Sequence, residues 1–375
     1  MRFTPLAVGA VMLAVPARAE VPNVVTDILP VQALVSQVMQ GVGEPIQLLP
    51  ATQSPHSYAM RPSEARALQN ADVVFWIGKE LSPAMDEAID SLVSDGETVS
   101  LLHLNGTREL EFRESETFLK LALVENGDAH DDHDDHADHE GHEEHGNHDE
   151  HGHDDHEAHD EHEAHDEHEA HDTHAEEIGH DDHDGHGEEN HDDHAHEGHD
   201  DHDHDGVDPH AWLDPKNAQF WLSAIADRLA AVDPDNAAAY RANAQSGQVD
   251  IDQLMADVTT QLAPFETTGF VVFHDAYQYF ETRFGLTASG AILAGDAEAP
   301  SAARLSNVRE TLHAHDISCV FTEPQYNDKV VRAISDGLSL HSEELDPLGA
   351  ALTSPDYTQL IRNVADRFEA CLSSS

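Results

Sequence analysis

From Asn23 onward, short apolar β-branched runs alternate with longer amphipathic segments. Val24-Val25 precedes a helical pattern over Val31–Met39. Ile46–Leu49 precedes another over Ser63–Asn70, Asp72–Ile77 a third over Pro83–Val93, and Thr98–Leu104 closes the series. Runs of this length read as buried strands and the periodic stretches as helices, so the first part predicts a β-α-β-α-β-α-β order. Ser63 ahead of Glu64, and Ser82 ahead of Pro83, supply helix-start signals where the period changes. Two helices then follow in succession, Pro215–Ala231 and Pro234–Leu262, the second long and polar on one face. The strand rhythm resumes with Phe270–Phe273, Thr287–Leu293, Ile317–Phe321 and a short strand around Ser339–His341. Such alternation predicts an α/β fold of two lobes, each a parallel sheet flanked by helices, joined by one long helix. Ligands of such folds sit beyond the carboxyl ends of strands, here in the crevice between lobes.

One stretch carries neither period. Ala129 to Gly206 is almost entirely His, Asp and Glu, with 25 of the 32 histidines and no Lys or Arg. Glu157–His162, Glu163–His168 and Glu169–His174 are near-copies of one six-residue unit, so that His153, His156, His159, His162, His165 and His168 recur every three residues. Imidazole suits borderline ions such as zinc, and the carboxylates raise the local cation concentration. Massed like charge with a single large apolar residue, Ile178, predicts no stable fold without metal. A solvated acidic linker would have no reason to concentrate histidine.

At the amino end, Met1-Arg2-Phe3, the apolar run Leu6–Val15 and Ala17-Arg18-Ala19 form the zones of a secretory signal peptide, with cleavage expected after Ala19. The run is too short to span a bilayer and no cysteine lies near it for a lipid anchor, which points to a free periplasmic protein. The two cysteines of the chain, Cys319 and Cys371, are expected to pair in that oxidising compartment. Such a loop stabilises by roughly 4 kcal/mol on the chain-entropy account. A net charge of −57 makes nucleic acid and anionic lipid poor partners.

Seven histidines lie outside the insert. His56 follows a strand in Ser54-Pro55-His56-Ser57-Tyr58. His210 ends Asp208-Pro209-His210 immediately after the insert, and His274 closes the strand that runs into Phe273-His274-Asp275. All three occupy strand-end or loop positions facing the expected cleft. His103, within an apolar strand pattern, and His341 read as structural, and His313 and His315 as a solvated helix end.

His56-Ser57-Tyr58 with Arg61-Pro62-Ser63, Asp208-Pro209-His210-Ala211-Trp212, Val272-Phe273-His274-Asp275-Ala276-Tyr277, Phe321-Thr322-Glu323-Pro324-Gln325 and Asp346-Pro347-Leu348-Gly349 together resemble the zinc-binding periplasmic components of ATP-driven zinc importers. The resemblance covers essentially the whole mature chain. It implies two pseudo-symmetric lobes with four-stranded sheets, a rigid linking helix, an acidic His-rich insert in the first lobe and a Cys319–Cys371 disulfide in the second. It also implies that His56, His210 and His274 are zinc ligands, a set that suits tetrahedral zinc, whereas manganese importers replace one histidine with a carboxylate. Some relatives place a glutamate just before the first histidine. Here that position is Pro55, which leaves the fourth place to Asp346 or to water.

The expected organisation is a signal peptide over 1–19, a first lobe over 20–128, the insert over 129–206, the remainder of the first lobe over 207–233, a linking helix over 234–262 and a second lobe over 263–375. The expected function is capture of Zn²⁺ by a monomer and its delivery to the membrane permease of an ABC importer. The insert would act as collector, buffer or sensor, and an auxiliary periplasmic zinc chaperone is a further partner. Two alternatives remain: an exported zinc-sequestering protein without a transporter, and a zinc hydrolase. The second lacks the expected H-E-x-x-H helix. Because ligation needs neutral imidazole, binding is expected to weaken as pH falls through roughly 6.5.

Overall fold

The alternating pattern resolves into two parallel sheets of four strands each. The computed structural model describes residues 21–113, 206–293, 300–315, 317–327 and 329–374. The signal peptide and the whole repeat region, His153 to His168 included, lie outside the described residues. The two sheets and their helices belong to one compact unit.

In the first half, β1 (Val24–Thr26) leads to α1 (Leu29–Val38), β2 (Ile46–Gln47), α2 (Pro62–Gln69), β3 (Val73–Trp76), α3 (Pro83–Leu92) and β4 (Glu97–Ser100). The sheet order is β2-β1-β3-β4, all parallel. β1 and β3 are buried along their whole length. Strands covered on both faces read as unbroken apolar runs, which is why they were visible in the sequence. Two helix starts differ in detail from the expectation. α2 begins at Pro62, and Glu64 reaches back to accept the Arg61 amide at 2.7 Å, so Arg61 rather than Ser63 is the boundary residue. Ser82 precedes Pro83 as predicted, yet its hydroxyl caps nothing. Beyond β4 the Leu101 and Leu102 amides still bond Trp76 and Ile77 carbonyls, at 2.8 and 3.0 Å, before the chain turns away. His103 therefore lies past the strand, exposed between Glu80 and Glu109 carboxylates.

α4 (Pro215–Val232) starts at Asp214, whose side chain accepts the Lys216 amide. A 3₁₀ turn at Pro234–Asn236, capped by the Asp233 side chain, then delays the linking helix α5 (Ala237–Leu262) by three residues relative to the expectation. At 26 residues it is about 39 Å long. Tyr240, Ala244, Gly247, Ile251, Leu254, Val258 and Leu262 form its buried stripe at helical spacing. That stripe packs on α1 and α4 at one end and on a helix of the second half at the other.

The second half repeats the plan with β5 (Phe270–Val272), α6 (Gln278–Phe284), β6 (Gly290–Ala291), α7 (Ala302–Ala314), β7 (Cys319–Thr322), α8 (Lys329–Ser335), β8 (His341–Glu344) and α9 (Tyr357–Leu372). Its order, β6-β5-β7-β8, matches that of the first sheet. α6 stops at Gly285, whose φ of 75° is the left-handed conformation that ends helices cheaply only at glycine. β8 begins at His341, where the expected strand ended. It is an edge strand with mostly exposed side chains, so no apolar run marks it. Cys319 and Cys371 are bonded, tying β7 to α9.

Candidate metal centre

Three chain segments converge on one point. β2 is followed by a 3₁₀ turn, Pro55–Ser57, whose proline fixes the backbone and turns His56 into the crevice. His210 precedes a second 3₁₀ turn, Ala211–Leu213, seated by the Trp212 indole donating to the Pro347 carbonyl at 2.9 Å and by the Tyr357 hydroxyl donating to the Trp212 carbonyl at 2.7 Å. His274 stands two residues beyond β5, at the carboxyl end of its sheet. The imidazole nitrogens of all three lie within 4.8 Å of one another, and among the described residues this is the one group of His, Cys, Asp or Glu disposed to hold a metal.

The second-layer contacts set which nitrogen faces inward. The buried Asp208 accepts His210 Nδ1 at 2.8 Å and the His210 amide at 2.9 Å through the same oxygen. The buried Glu323, just past β7, accepts His274 Nδ1 at 2.7 Å. With Nδ1 protonated and bound to carboxylate, Nε2 carries the lone pair. The His210 and His274 Nε2 atoms sit 3.4 Å apart. Two nitrogens of a tetrahedral zinc site are separated by about 3.3 Å when each bond is about 2.0–2.1 Å.

Electrostatics favour the same use. Burial holds the His56 imidazole well below its usual pKa, and the neighbouring His210 and His274 rings push it further down, so His56 stays a neutral donor. Burial pushes the Asp208 carboxyl up to about 7, opposed by the His210 amide and the charge of Arg113. The second oxygen of Asp208 is buried without a hydrogen-bond partner, and Glu323 faces the buried Tyr277 hydroxyl as well as His274. Buried carboxylates behind ligating imidazoles are what a divalent cation compensates. The cavity here encloses about 10 Å³, room for one atom-sized guest, and is lined by the three histidines with Trp212, Glu323, Gln325, Tyr326, Pro347 and Leu348.

Asp346 is placed differently from the three histidines. Its Oδ1 accepts the Leu348 and Gly349 amides at 3.1 and 2.9 Å and Gln325 Nε2 at 3.1 Å, so that it holds the loop whose Pro347 and Leu348 face the cavity. The same Gln325 amide donates to the Ala51 carbonyl of the first half at 2.9 Å. His313, His315 and His341 are exposed and distant in sequence from every ligand-bearing turn. Asp208 and Glu323 were present in the motifs read from the sequence but without a role. Their signal was available: a carboxylate two residues before a histidine, and one at the end of a buried strand.

The chain matches the family model described as zinc-uptake complex component A, periplasmic (ZnuA), over residues 24–371. It belongs to the ZnuA family. It is 41% identical over 364 residues to the high-affinity zinc uptake system protein ZnuA of Paracoccus denitrificans (strain Pd 1222), covering 96% of this chain and 95% of the relative. With the protein of the same description from Brucella suis biovar 1 (strain 1330) it shares 38% over 353 residues, 94% of this chain and 92% of the relative. Among solved structures, a ZnuA crystal structure superposes with a TM-score of 0.64 at 20% identity, covering 94% of this chain and 100% of the other. For this ZnuA-family chain, no helix among the described residues is long and apolar enough to cross a membrane.

Proposed function

We propose that this ZnuA-family protein binds one Zn²⁺ in the crevice through Nε2 of His210 and His274 and an imidazole nitrogen of His56, carrying it as cargo to an ABC importer permease. The observation that supports this most is the convergence of three ring nitrogens within 4.8 Å, two of them backed by buried carboxylates. A fourth place falls to a water molecule, since Asp346 is engaged with Leu348 and Gly349 amides. Zinc accepts such a three-nitrogen, one-oxygen set without geometric preference of its own.

Capture is favourable for a definite reason. Two of the rings are oriented by buried carboxylate partners before the ion arrives, and the third is held neutral by its burial. The family is one of solute-binding proteins rather than enzymes, and its members act in the periplasm with a membrane transporter. Zinc K-edge absorption spectroscopy of the loaded protein tests the ligand set. Three imidazoles and one oxygen near 2.0 Å are expected. A shell with sulfur, or with fewer than three imidazoles, would overturn it.

The His-rich insert then serves as a secondary collector or buffer feeding the crevice. This reading is supported by its position, two residues upstream of Asp208 and four upstream of His210.

A further inference from the structure

The described chain stops at Arg113 and resumes at Gly206, and these two ends lie side by side. Phe112 donates its amide to the Gly206 carbonyl at 3.1 Å and Asp208 its amide to the Leu110 carbonyl at 2.8 Å, with Glu111 and Val207 bridged antiparallel. This short ladder rests on the second half of the molecule. Tyr279 of α6 takes the Leu110 amide at 2.8 Å and donates its hydroxyl to the Asp208 carbonyl at 2.9 Å, and Gln278 donates to the Glu111 carbonyl at 3.1 Å.

The strongest contact is ionic. Arg113 Nε donates to both oxygens of Asp275, at 3.0 and 2.9 Å, and its Nη2 makes a further short contact to the same carboxylate. Its two terminal nitrogens also bond Glu281, at 2.8 and 3.0 Å. Glu281 is buried and accepts the Ala288 amide at 2.9 Å as well. One guanidinium thus saturates two carboxylates, one of which belongs to the residue directly after the ligand His274. On the near side, the ladder continues into Asp208 and its partner His210.

We propose that the clasp of Arg113 with Asp275 and Glu281 is a positioning device for metal binding, holding the backbone that carries His274 in register with the backbone that carries His210. It rests on the three-histidine reading of the crevice. Two ligands offered by different halves must be fixed against each other to within a fraction of an ångström for a tight tetrahedral site. A planar, doubly bidentate arginine fixes orientation as well as distance, which a lysine does not.

The experiment compares the full mature chain with Arg113→Met, Arg113→Lys and the neutralised triple variant Arg113→Met/Asp275→Asn/Glu281→Gln, with His274→Ala as a separate arm. Zinc dissociation is followed by chelator competition, and the thermal midpoint of the metal-free form by calorimetry. The triple variant removes both clasp carboxylate charges together with the guanidinium, so its midpoint should return towards that of the unaltered chain even where Arg113→Met folds poorly. Its zinc dissociation should nonetheless be about 10- to 100-fold faster, with Arg113→Lys between. A triple variant that regains stability and releases zinc at the unaltered rate would reduce the clasp to a structural ion pair and overturn the proposal. Retention of the tight site in His274→Ala would instead overturn the underlying three-histidine reading, and the proposal with it.

Discussion

His274 shows how one side chain becomes a ligand. The end of β5 sets its backbone, and Glu323, just past the neighbouring β7, accepts a hydrogen bond from its Nδ1 at 2.7 Å. Glu323→Gln keeps the shape but removes the charge and allows the amide to present its donor to the ring. Zinc affinity should fall by 10- to 100-fold, measured by competition titration, with little change in the metal-free fold. The depressed pKa of His56 shifts the acid window. A ring whose folded pKa lies below its unfolded value of about 6.5 binds its proton more readily in the unfolded chain. The metal-free protein therefore loses stability as pH falls from about 6.5 towards the folded pKa, and His56→Gln should flatten that loss in thermal scans across the range. By the same sign the His56 ring of the metal-free fold stays neutral below 6.5. The three histidines were legible because each stands where a strand or turn meets the crevice. Arg113 was not. Its partners, Asp275 and Glu281, are more than 160 residues away, and no local pattern records a pairing of that span.

At the scale of elements, apolar runs located the strands, and apolar period with helix-start residues located α1 to α5, whereas α6 to α9 were foreseen only as helices flanking the second sheet. The departures have separate causes. β8 has no buried face to write into the sequence, β6 is shorter than its apolar run, and Pro234 begins a 3₁₀ turn because the Asp233 carboxylate accepts the Asn236 amide before α5 can start. The Cys319–Cys371 bond links β7 to α9 across 52 residues. Replacing both cysteines by serine should lower unfolding free energy by roughly 4 kcal/mol in denaturant titrations. The stoichiometry of tight zinc should stay at one, because neither cysteine lines the crevice. Asp214 has a double duty, capping α4 through the Lys216 amide at 2.9 Å and accepting two bonds from the Arg283 guanidinium of α6, each at 2.7 Å. Asp214→Ala should cost more than the roughly 1 kcal/mol of a lost helix cap, because it also strands the Arg283 charge.

For the whole molecule, two sheets of equivalent strand order belong to one unit, and the long helix α5 packs on α1 and α4 of the first half and on α9 of the second. Several contacts join the halves around the metal centre: Trp212 to Pro347, Gln325 to Ala51, Arg283 to Asp214 and the Arg113 clasp. The two-lobe plan was legible from the repeated strand rhythm and the family resemblance. How tightly the halves are tied was not, since those ties are made by residues scattered over the chain. The insert concentrates 25 of 32 histidines, yet the converging ligands lie outside it. Zinc titration by calorimetry of a chain lacking residues 129–205, alongside its His56→Ala, His210→Ala and His274→Ala variants, separates the two stores of metal most directly. One tight equivalent that survives the deletion and is lost with any of the three histidines is the predicted result. Tight binding that disappears with the insert and is indifferent to the three histidines would contradict the account.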